Sequence, residues 1–222
     1  YRQMVGISSI GDTTVVTDKW MMGTRNSFFV GIVATLLATA LGTVAALGLS
    51  RPHMPFKAVL MAILISPMIV PLIITAAGMF FFYSKIGLTH TYLGLILAHT
   101  ALGTPFVVIT VTATLTGFDT NLIRASQSLG ADTMRTFFKI IMPLILPGVI
   151  SGGLFAFITS FDEVVVVMFI GSVEQITIPK QMWAGLRQET SPVILCMATC
   201  LVFLSIALLT TVELLRRRNE RL

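Results

Sequence analysis

Long apolar stretches separated by short polar segments dominate this chain. Five of them are long and apolar enough to cross a bilayer as helices, which takes about 20 residues; they are 27–50, 56–84, 92–116, 143–171 and 192–215. Lipid offers no partner for backbone polar groups, so a spanning segment bonds its own amides as a helix. The pattern therefore predicts an all-α polytopic membrane protein with five spanning helices in this chain.

Composition agrees with a lipid-facing surface. Charged residues make up 11% of the 222 residues, whereas a soluble domain has about 25%, and the mean hydropathy is +0.90. The net charge of +5 does not indicate a nucleic-acid partner. Four of the basic residues follow the last apolar stretch, where basic residues typically flank a membrane span: Arg216, Arg217, Arg218 and Arg221.

The distribution of Lys and Arg predicts the orientation. If the basic C-terminal tail lies in the cytoplasm, the segments 51–57 and 124–139 lie there too, and that side holds nine of the fifteen basic residues, in line with the positive-inside rule. The N-terminal segment 1–26 then lies outside the cytoplasm. Because it shows no signal sequence, we expect a further spanning helix before it, six in the full-length protein, and a transmembrane domain over 27–222.

A polar segment, 118–141, separates the third and fourth apolar stretches. Asp119 is placed to cap a first short helix, Gly130 to end it, and Asp132 to cap a second. Four residues of the first helix have the spacing of one helix face: Leu122, Ala125, Ser126 and Leu129. The pattern leaves two roles open for this helix pair, which are docking into a groove of a partner protein and lying on the membrane surface.

The same segment resembles the signature loop of permeases from binding-protein-dependent ABC importers. In that family the loop begins Glu-Ala-Ala, continues to Leu-Gly-Ala and ends in Leu-Pro and Pro-Gly. Matching residues stand here at the family's spacing: Leu129, Gly130, Ala131, Pro143, Pro147 and Gly148. The resemblance implies a type I importer permease whose cytoplasmic coupling helix fits a cleft of an ATPase subunit. The residues it assigns to this coupling are Arg124, Ala125, Ser126, Leu129, Gly130 and Ala131.

Two positions of the loop depart from the family pattern. Arg124 stands where the family has Glu, and Ser126 stands where it has Ala. The charge at the leading position is therefore reversed, and we hypothesise that the ATPase presents an acidic residue near Arg124. Charge-swap variants that left transport and subunit assembly unchanged would contradict this hypothesis.

The rest of the chain resembles the polyamine-type branch of these permeases, above all the second permease subunit of spermidine/putrescine importers. The resemblance rests on 51–57, 66–71, 104–110, 161–166 and 178–179. It implies a small cationic solute such as putrescine or spermidine, with an opine, an amino-acid-like or another small organic substrate as the alternative. It also implies a bacterial inner-membrane location and three partners: a dimer of the ATPase, which binds ATP and Mg, a second permease subunit, and an extracytoplasmic solute-binding protein.

Asp162 and Glu163 lie near the outer end of the fourth predicted span. A carboxylate at membrane depth is costly and usually faces a cavity or a partner. Adjacent helix positions diverge by about 100°, so the two side chains point different ways. Two interpretations stay open, which are attraction of a cationic substrate along the pathway and pairing with a companion permease. His99, within the third span, is better interpreted as a packing or hydrogen-bonding residue than as a relay.

Prolines within or beside the spans indicate either broken helices along a pathway or ordinary kinks; they are Pro67, Pro71, Pro105, Pro143 and Pro147. The outer loop 172–191 is a candidate surface for the solute-binding protein. Trp183 in that loop also suits an interfacial anchor.

The sequence contains none of the usual catalytic, nucleotide-binding or metal-binding motifs. It contains no phosphate-binding loop, no Cys/His cluster with metal-ligand spacing and no nucleophile elbow. We therefore expect no catalytic residue, metal ligand or cofactor in this chain, with ATP hydrolysed by another subunit. A stand-alone secondary transporter or channel is a remote alternative, since it would need ion-coupling charges and commonly an internal repeat.

Overall fold

The computed structural model describes residues 13–51, 53–119, 121–188 and 192–219. Over these residues the chain is helical and has no strand, so the all-α prediction is confirmed. In chain order the elements are α1 (Thr13–Leu49), α2 (Lys57–Ile69), α3 (Leu72–Ile86), α4 (Tyr92–Thr116), α5 (Asn121–Ser128), α6 (Thr133–Thr136), a π-helical turn (Phe137–Ile141), α7 (Met142–Asp162), α8 (Val165–Ile170), α9 (Ile178–Gln188) and α10 (Pro192–Asn219).

Helices α1, α4 and α7 pack against one another and form the core. Small residues let their backbones approach closely. A Cβ added to Gly152 of α7 would lie 2.8 Å from the Cα of Val107 on α4, and one added to Gly42 of α1 would lie 2.6 Å from the Val107 Cβ. Val107 is fully buried. Such close packing is what holds helices together in lipid, where the hydrophobic effect does not act between them.

The predicted count of five spans is wrong for the described residues. Three helical stretches are long and apolar enough to cross a membrane: Asp18–Leu49, Tyr92–Thr116 and Thr133–Asp162. In place of the predicted span 56–84, α2 and α3 form a pair bent by 103°, which raises the count to four at most. Over the predicted span 192–215 the structure has the helix α10, of which the stretch Ile194–Ala207 is apolar within the residues whose side chains are described.

The bend between α2 and α3 follows from Pro71. The α conformation is disfavoured before a proline, and Val70 accordingly takes an extended conformation with ψ 136° and ends α2. Pro71 then stands at the N-cap of α3. Pro67, Pro105 and Pro147 instead lie inside continuous helices. A broken helix is therefore the correct interpretation at Pro71, whereas these three prolines are accommodated within their helices.

The predicted span 143–171 is shifted along the chain. Its helix begins at Thr133, because Asp132 caps it there, and it continues through the π-helical turn into α7. It ends at Asp162, since Glu163 adopts an extended ψ of 121°, and the short helix α8 follows. The sequence therefore placed both ends of this span about nine to ten residues too late.

Several basic residues on which the predicted orientation depends have no described side chain, namely Arg2, Arg187, Arg216, Arg217, Arg218 and Arg221. The orientation therefore stays a prediction. We name the two ends of the molecule by the residues they carry. The loop end carries 118–141, and the far end carries 87–91 and 171–178.

Candidate functional site

Two aspartates start the short helices of the segment 118–141. The Asp119 Oδ1 accepts a hydrogen bond from the backbone N–H of Asn121 at 2.9 Å. The Asp132 Oδ1 accepts one from the backbone N–H of Arg135 at 2.8 Å. Each carboxylate satisfies a donor that has no intrahelical partner. Both predicted caps are confirmed.

Gly130 turns the chain between these helices. Its φ of 81° lies in the left-handed region, which glycine adopts without steric cost. The Gly130 N–H donates to the carbonyl of Gln127 at 2.9 Å, and the Ala131 N–H donates to the carbonyl of Ser126 at 3.0 Å. This pair of bonds is the Schellman arrangement that ends a helix. The predicted glycine turn is therefore confirmed.

A buried hydrogen bond joins α5 to α6. The Ser126 Oγ lies 2.9 Å from the Thr136 Oγ1, and both residues are buried. The Ser126 hydroxyl also donates to the carbonyl of Ile123 at 2.8 Å, so Thr136 is the donor within the pair. The bond holds α5 against the start of the next helix.

The four residues of the predicted α5 face do not share one environment in the structure. Ser126 faces inward, whereas Leu122, Ala125 and Leu129 are exposed, with Leu129 88% exposed. Arg124 is exposed as well, Gly130 is exposed, and Ala131 is half-buried. Met134 and Phe138 add exposed apolar side chains from the second helix. The outer surface of this segment is therefore apolar at several positions and carries one cation from α5.

The second helix of the segment runs into the membrane span without a break. Within its π-helical turn, the Met142 N–H donates to the carbonyl of Phe137, five residues back. Pro143, which follows, has no N–H to continue the ordinary ladder. Turns of this kind inside an α-helix are frequent at functional sites. The segment 118–141 and the span that follows therefore share one helix.

A cavity of about 370 Å³ lies beneath the segment at the loop end. Its walls are mostly apolar. The lining residues come from the ends of α1 and α4, from α5, and from the second helix: Leu47, Ser50, Arg51, Leu115, Phe118, Ile123, Gln127, Thr133, Thr136, Phe137 and Ile141.

The neighbouring carboxylates Asp162 and Glu163 have different surroundings. Asp162 is exposed at the end of α7. Glu163 is 7% exposed, and its Oε1 accepts a hydrogen bond from the backbone N–H of Val166 at 2.9 Å. Glu163 therefore caps the start of α8, whereas the Asp162 side chain is exposed.

A second cavity, of about 340 Å³, is lined by Asp162 and Glu163 together with Leu72, the first residue of α3, and Thr159 of α7. The interruption between α2 and α3 and the interruption between α7 and α8 thus meet at this cavity. The C-terminal end of a helix carries partial negative charge on its free carbonyl groups. An exposed carboxylate beside such an end favours a cation.

His99 pairs with a residue close to this cavity. Its Nδ1 lies 2.7 Å from the Oγ of Ser160, two positions before Asp162, and both side chains are buried between α4 and α7. The contact agrees with a hydrogen-bonding role for His99. Ser160 could not be predicted as a partner from the sequence, because a serine inside an apolar helix most often bonds its own backbone.

Sequence reasoning missed a polar cluster at the far end. The Asn26 Nδ2 donates to the carbonyls of Glu174 and Ile176 at 2.7 and 2.9 Å. The Tyr92 hydroxyl donates to the same Glu174 carbonyl at 3.0 Å. These side chains fix the segment after α8 to α1 and α4. An asparagine at the edge of an apolar stretch is the sequence signal that could have indicated this cluster.

Lys180 adds side-chain hydrogen bonds at the same end of the molecule. Its Nζ donates to the carbonyls of Val167, Gly171 and Ser172, each at 3.2 Å. Its partial burial lowers the pKa of Lys180 below its ordinary value. Trp183 on α9 is exposed, while residues 189–191 of the predicted outer loop lie outside the described residues.

The family model of the inner membrane components of binding-protein-dependent transport systems matches residues 38–221. The chain belongs to this family. It is a permease subunit of an ABC importer.

Relatives of this permease include two kinds of polyamine permease. The spermidine/putrescine transport system permease protein PotC of Haemophilus influenzae is 31% identical over 91% of this chain and 79% of its own. Its Escherichia coli counterpart is 28% identical over 92% of this chain and 77% of its own. The putrescine transport system permease protein PotI of Escherichia coli is 28% identical over 83% of this chain and 68% of its own.

Solved structures show the same fold. A chain of the MetNI methionine ABC transporter in an inward-facing conformation superposes with a TM-score of 0.69 at 20% identity, covering 96% of the permease and 97% of that chain. A chain of an amino acid ABC transporter with histidines gives a TM-score of 0.65 at 17% identity, covering 97% and 100%. The permease therefore has the fold of type I importer permeases.

Proposed function

We propose that this permease subunit imports a polyamine, with putrescine or spermidine as its solute. The observation that carries the proposal is the similarity to permeases named for these solutes over 91% and 92% of the chain. The transporters for methionine and for amino acids share the fold at 20% identity or less. Similarity at that level of identity shows the fold and does not indicate the substrate.

The cavity at Asp162 supports a cationic solute. Asp162 is exposed there, and the C-terminal end of α7 adds partial negative charge. Interrupted helices whose ends coordinate cations recur in transporters. Asp162 is therefore our candidate pathway residue. Glu163, whose side chain caps α8, shapes the cavity wall and does not contact the solute.

The segment 118–141 is our candidate contact with the ATPase. Its apolar side chains at Leu122, Leu129 and Phe138 are exposed, which suits insertion into a partner groove. Arg124 is exposed beside them and is available to an acidic residue of the ATPase. Ser126 is buried against Thr136 and acts through the shape of the loop. ATP and Mg belong to the ATPase in this proposal, and this chain is non-catalytic.

The remaining partners follow from the two ends of the molecule. With the loop end in the cytoplasm, together with the C-terminus, the far end meets the solute-binding protein. Val173 is 73% exposed at that end on a segment that Asn26 and Lys180 hold in place. A second permease subunit completes the pathway, and this chain supplies one wall of it.

Uptake by the reconstituted transporter tests the proposed solute. The chain is co-expressed with its ATPase, companion permease and binding protein, and the complex is placed in liposomes that contain ATP. We expect uptake of labelled putrescine or spermidine that depends on both ATP and the binding protein. Uptake of methionine or histidine with no polyamine uptake would overturn the proposed solute while leaving the importer class intact.

A further inference from the structure

The cavity at the loop end has no role in the proposed solute pathway, and it lies beneath the surface that we propose for the ATPase contact. Leu47, Leu115 and Ile141 line it; the first two lie near the ends of α1 and α4, and Ile141 lies where the segment 118–141 continues into α7. If these helices cross the membrane as proposed, the cavity lies close to the boundary between the hydrocarbon and the headgroups. Its volume, about 370 Å³, falls within the range of small-molecule sites.

Cationic side chains are concentrated at the loop end, and one of them lines this cavity. Arg51 lines the cavity and is exposed. Lys57, Arg135 and Lys139 are exposed at the same end. The two acidic residues of the segment 118–141, Asp119 and Asp132, each accept a backbone hydrogen bond at a helix start. An anion that approaches this end therefore meets an excess of positive charge.

We propose that an acidic phospholipid occupies this cavity, with an acyl chain between Leu47, Leu115 and Ile141 and its phosphate at the Arg51 guanidinium. A planar guanidinium binds phosphate oxygens in a bidentate manner, and basic pockets between membrane helices bind anionic headgroups. The apolar walls favour this ligand over free phosphate, which has no apolar part to bury. The bound lipid contacts α1, α4 and the segment 118–141 at once, and so ties that segment to the membrane.

Native mass spectrometry of the intact transporter tests the site. The complex is taken from nanodiscs of phosphatidylcholine with phosphatidylglycerol, and the phospholipid that stays bound is counted. Arg51→Gln removes the cation, Leu47→Phe fills the cavity, and Lys57→Gln is the matched control for a neighbouring cation that does not line it. We expect retention of phosphatidylglycerol to fall about fivefold in Arg51→Gln, the effect of one basic residue near a membrane surface, to fall in Leu47→Phe, and to stay unchanged in Lys57→Gln.

Three results would overturn the proposal. Equal losses in Arg51→Gln and Lys57→Gln would show diffuse surface charge instead of a site. Full retention in an assembled Leu47→Phe complex would show that no acyl chain enters the cavity. Retention of added laurate in place of any phospholipid would identify the ligand as a fatty acid. If Leu47→Phe fails to assemble, the comparison of Arg51→Gln with Lys57→Gln decides alone. The test is independent of the transported solute.

Discussion

The Thr136 hydroxyl on α6 donates a hydrogen bond to the Ser126 hydroxyl on α5, across the turn at Gly130. The Ser126 hydroxyl in turn donates a hydrogen bond to the carbonyl of Ile123, so the two side chains form a short chain of hydrogen bonds. The family pattern has alanine at the position of Ser126. The contact gives that departure a structural explanation, because the serine is the acceptor that buried Thr136 requires.

Ser126→Ala should therefore destabilise the transporter although it restores the family residue. The substitution leaves the buried Thr136 hydroxyl without its acceptor, at a cost of about 1–3 kcal/mol. The double variant Ser126→Ala/Thr136→Val should recover most of the loss, because both polar groups are then gone and valine keeps the shape of threonine. Thermal unfolding of the purified complex measures both effects. Additive losses in the double variant would contradict the pairing.

Gly130→Ala should weaken the turn through the backbone alone. A Cβ at Gly130 meets no atom within 4 Å, but its φ is 81°, and the left-handed conformation costs a non-glycine residue about 1–2 kcal/mol. Gly130→Asn should cost less, because asparagine tolerates this conformation. Gly48→Ala is the matched control, since Gly48 also lies in open space but within helix α1. It should be neutral or stabilising by about 0.5–1 kcal/mol.

The stability of these glycine variants is compared by thermal unfolding, and ATPase activity of the assembled complex reports on the loop. A Gly130→Ala transporter as stable as wild type would contradict the conformation described for the turn.

Gly152→Ala should disturb the core of the bundle. The new Cβ would lie 2.8 Å from the Val107 Cα and closer still to the Thr110 Oγ1, and Val107 is fully buried. Overpacking of this kind costs about 1–3 kcal/mol. Gly78→Ala on α3 meets no atom within 4 Å and should leave the transporter unaffected. Yield of the folded complex and its thermal unfolding distinguish the two variants, and equal behaviour would contradict the packing of α4 on α7.

Asp162→Asn should lower polyamine uptake while the ATPase subunit still co-purifies. The substitution removes the exposed charge at the cavity and leaves the shape of the side chain nearly unchanged. Glu163→Gln should transport almost as well as wild type, because its amide oxygen can still accept the Val166 N–H. Glu163→Ala loses this cap and should cost about 1 kcal/mol of stability. Loss of uptake in Glu163→Gln together with full uptake in Asp162→Asn would reverse the assigned roles.

Local signals in the sequence predicted the loop well. The hydrogen bonds of Asp119, Gly130 and Asp132 join residues only two or three positions apart in the chain, so the local sequence is enough to predict them. The partner of Ser126 was not predictable in the same way. Thr136 lies ten residues away, and the bond exists because the glycine turn brings the two helices together.

The interruptions of the membrane helices were harder to predict. Pro71 breaks a helix while Pro105 and Pro147 do not, and no sequence signal near them separates these cases. The end of α7 at Asp162 has no helix-ending glycine or proline beside it. The assumption of a continuous helix therefore placed Glu163 on a helix face, whereas it stands between two helices and caps the second.

The continuous helix Thr133–Asp162 has a mechanical consequence. Its 30 residues measure about 45 Å at 1.5 Å per residue, and no flexible connection interrupts them. One end of this rod belongs to the segment that carries Gly130 and Phe138, and the other end is Asp162. Because no break separates the two ends, we expect a displacement of the loop to be transmitted along this helix to the Asp162 carboxylate.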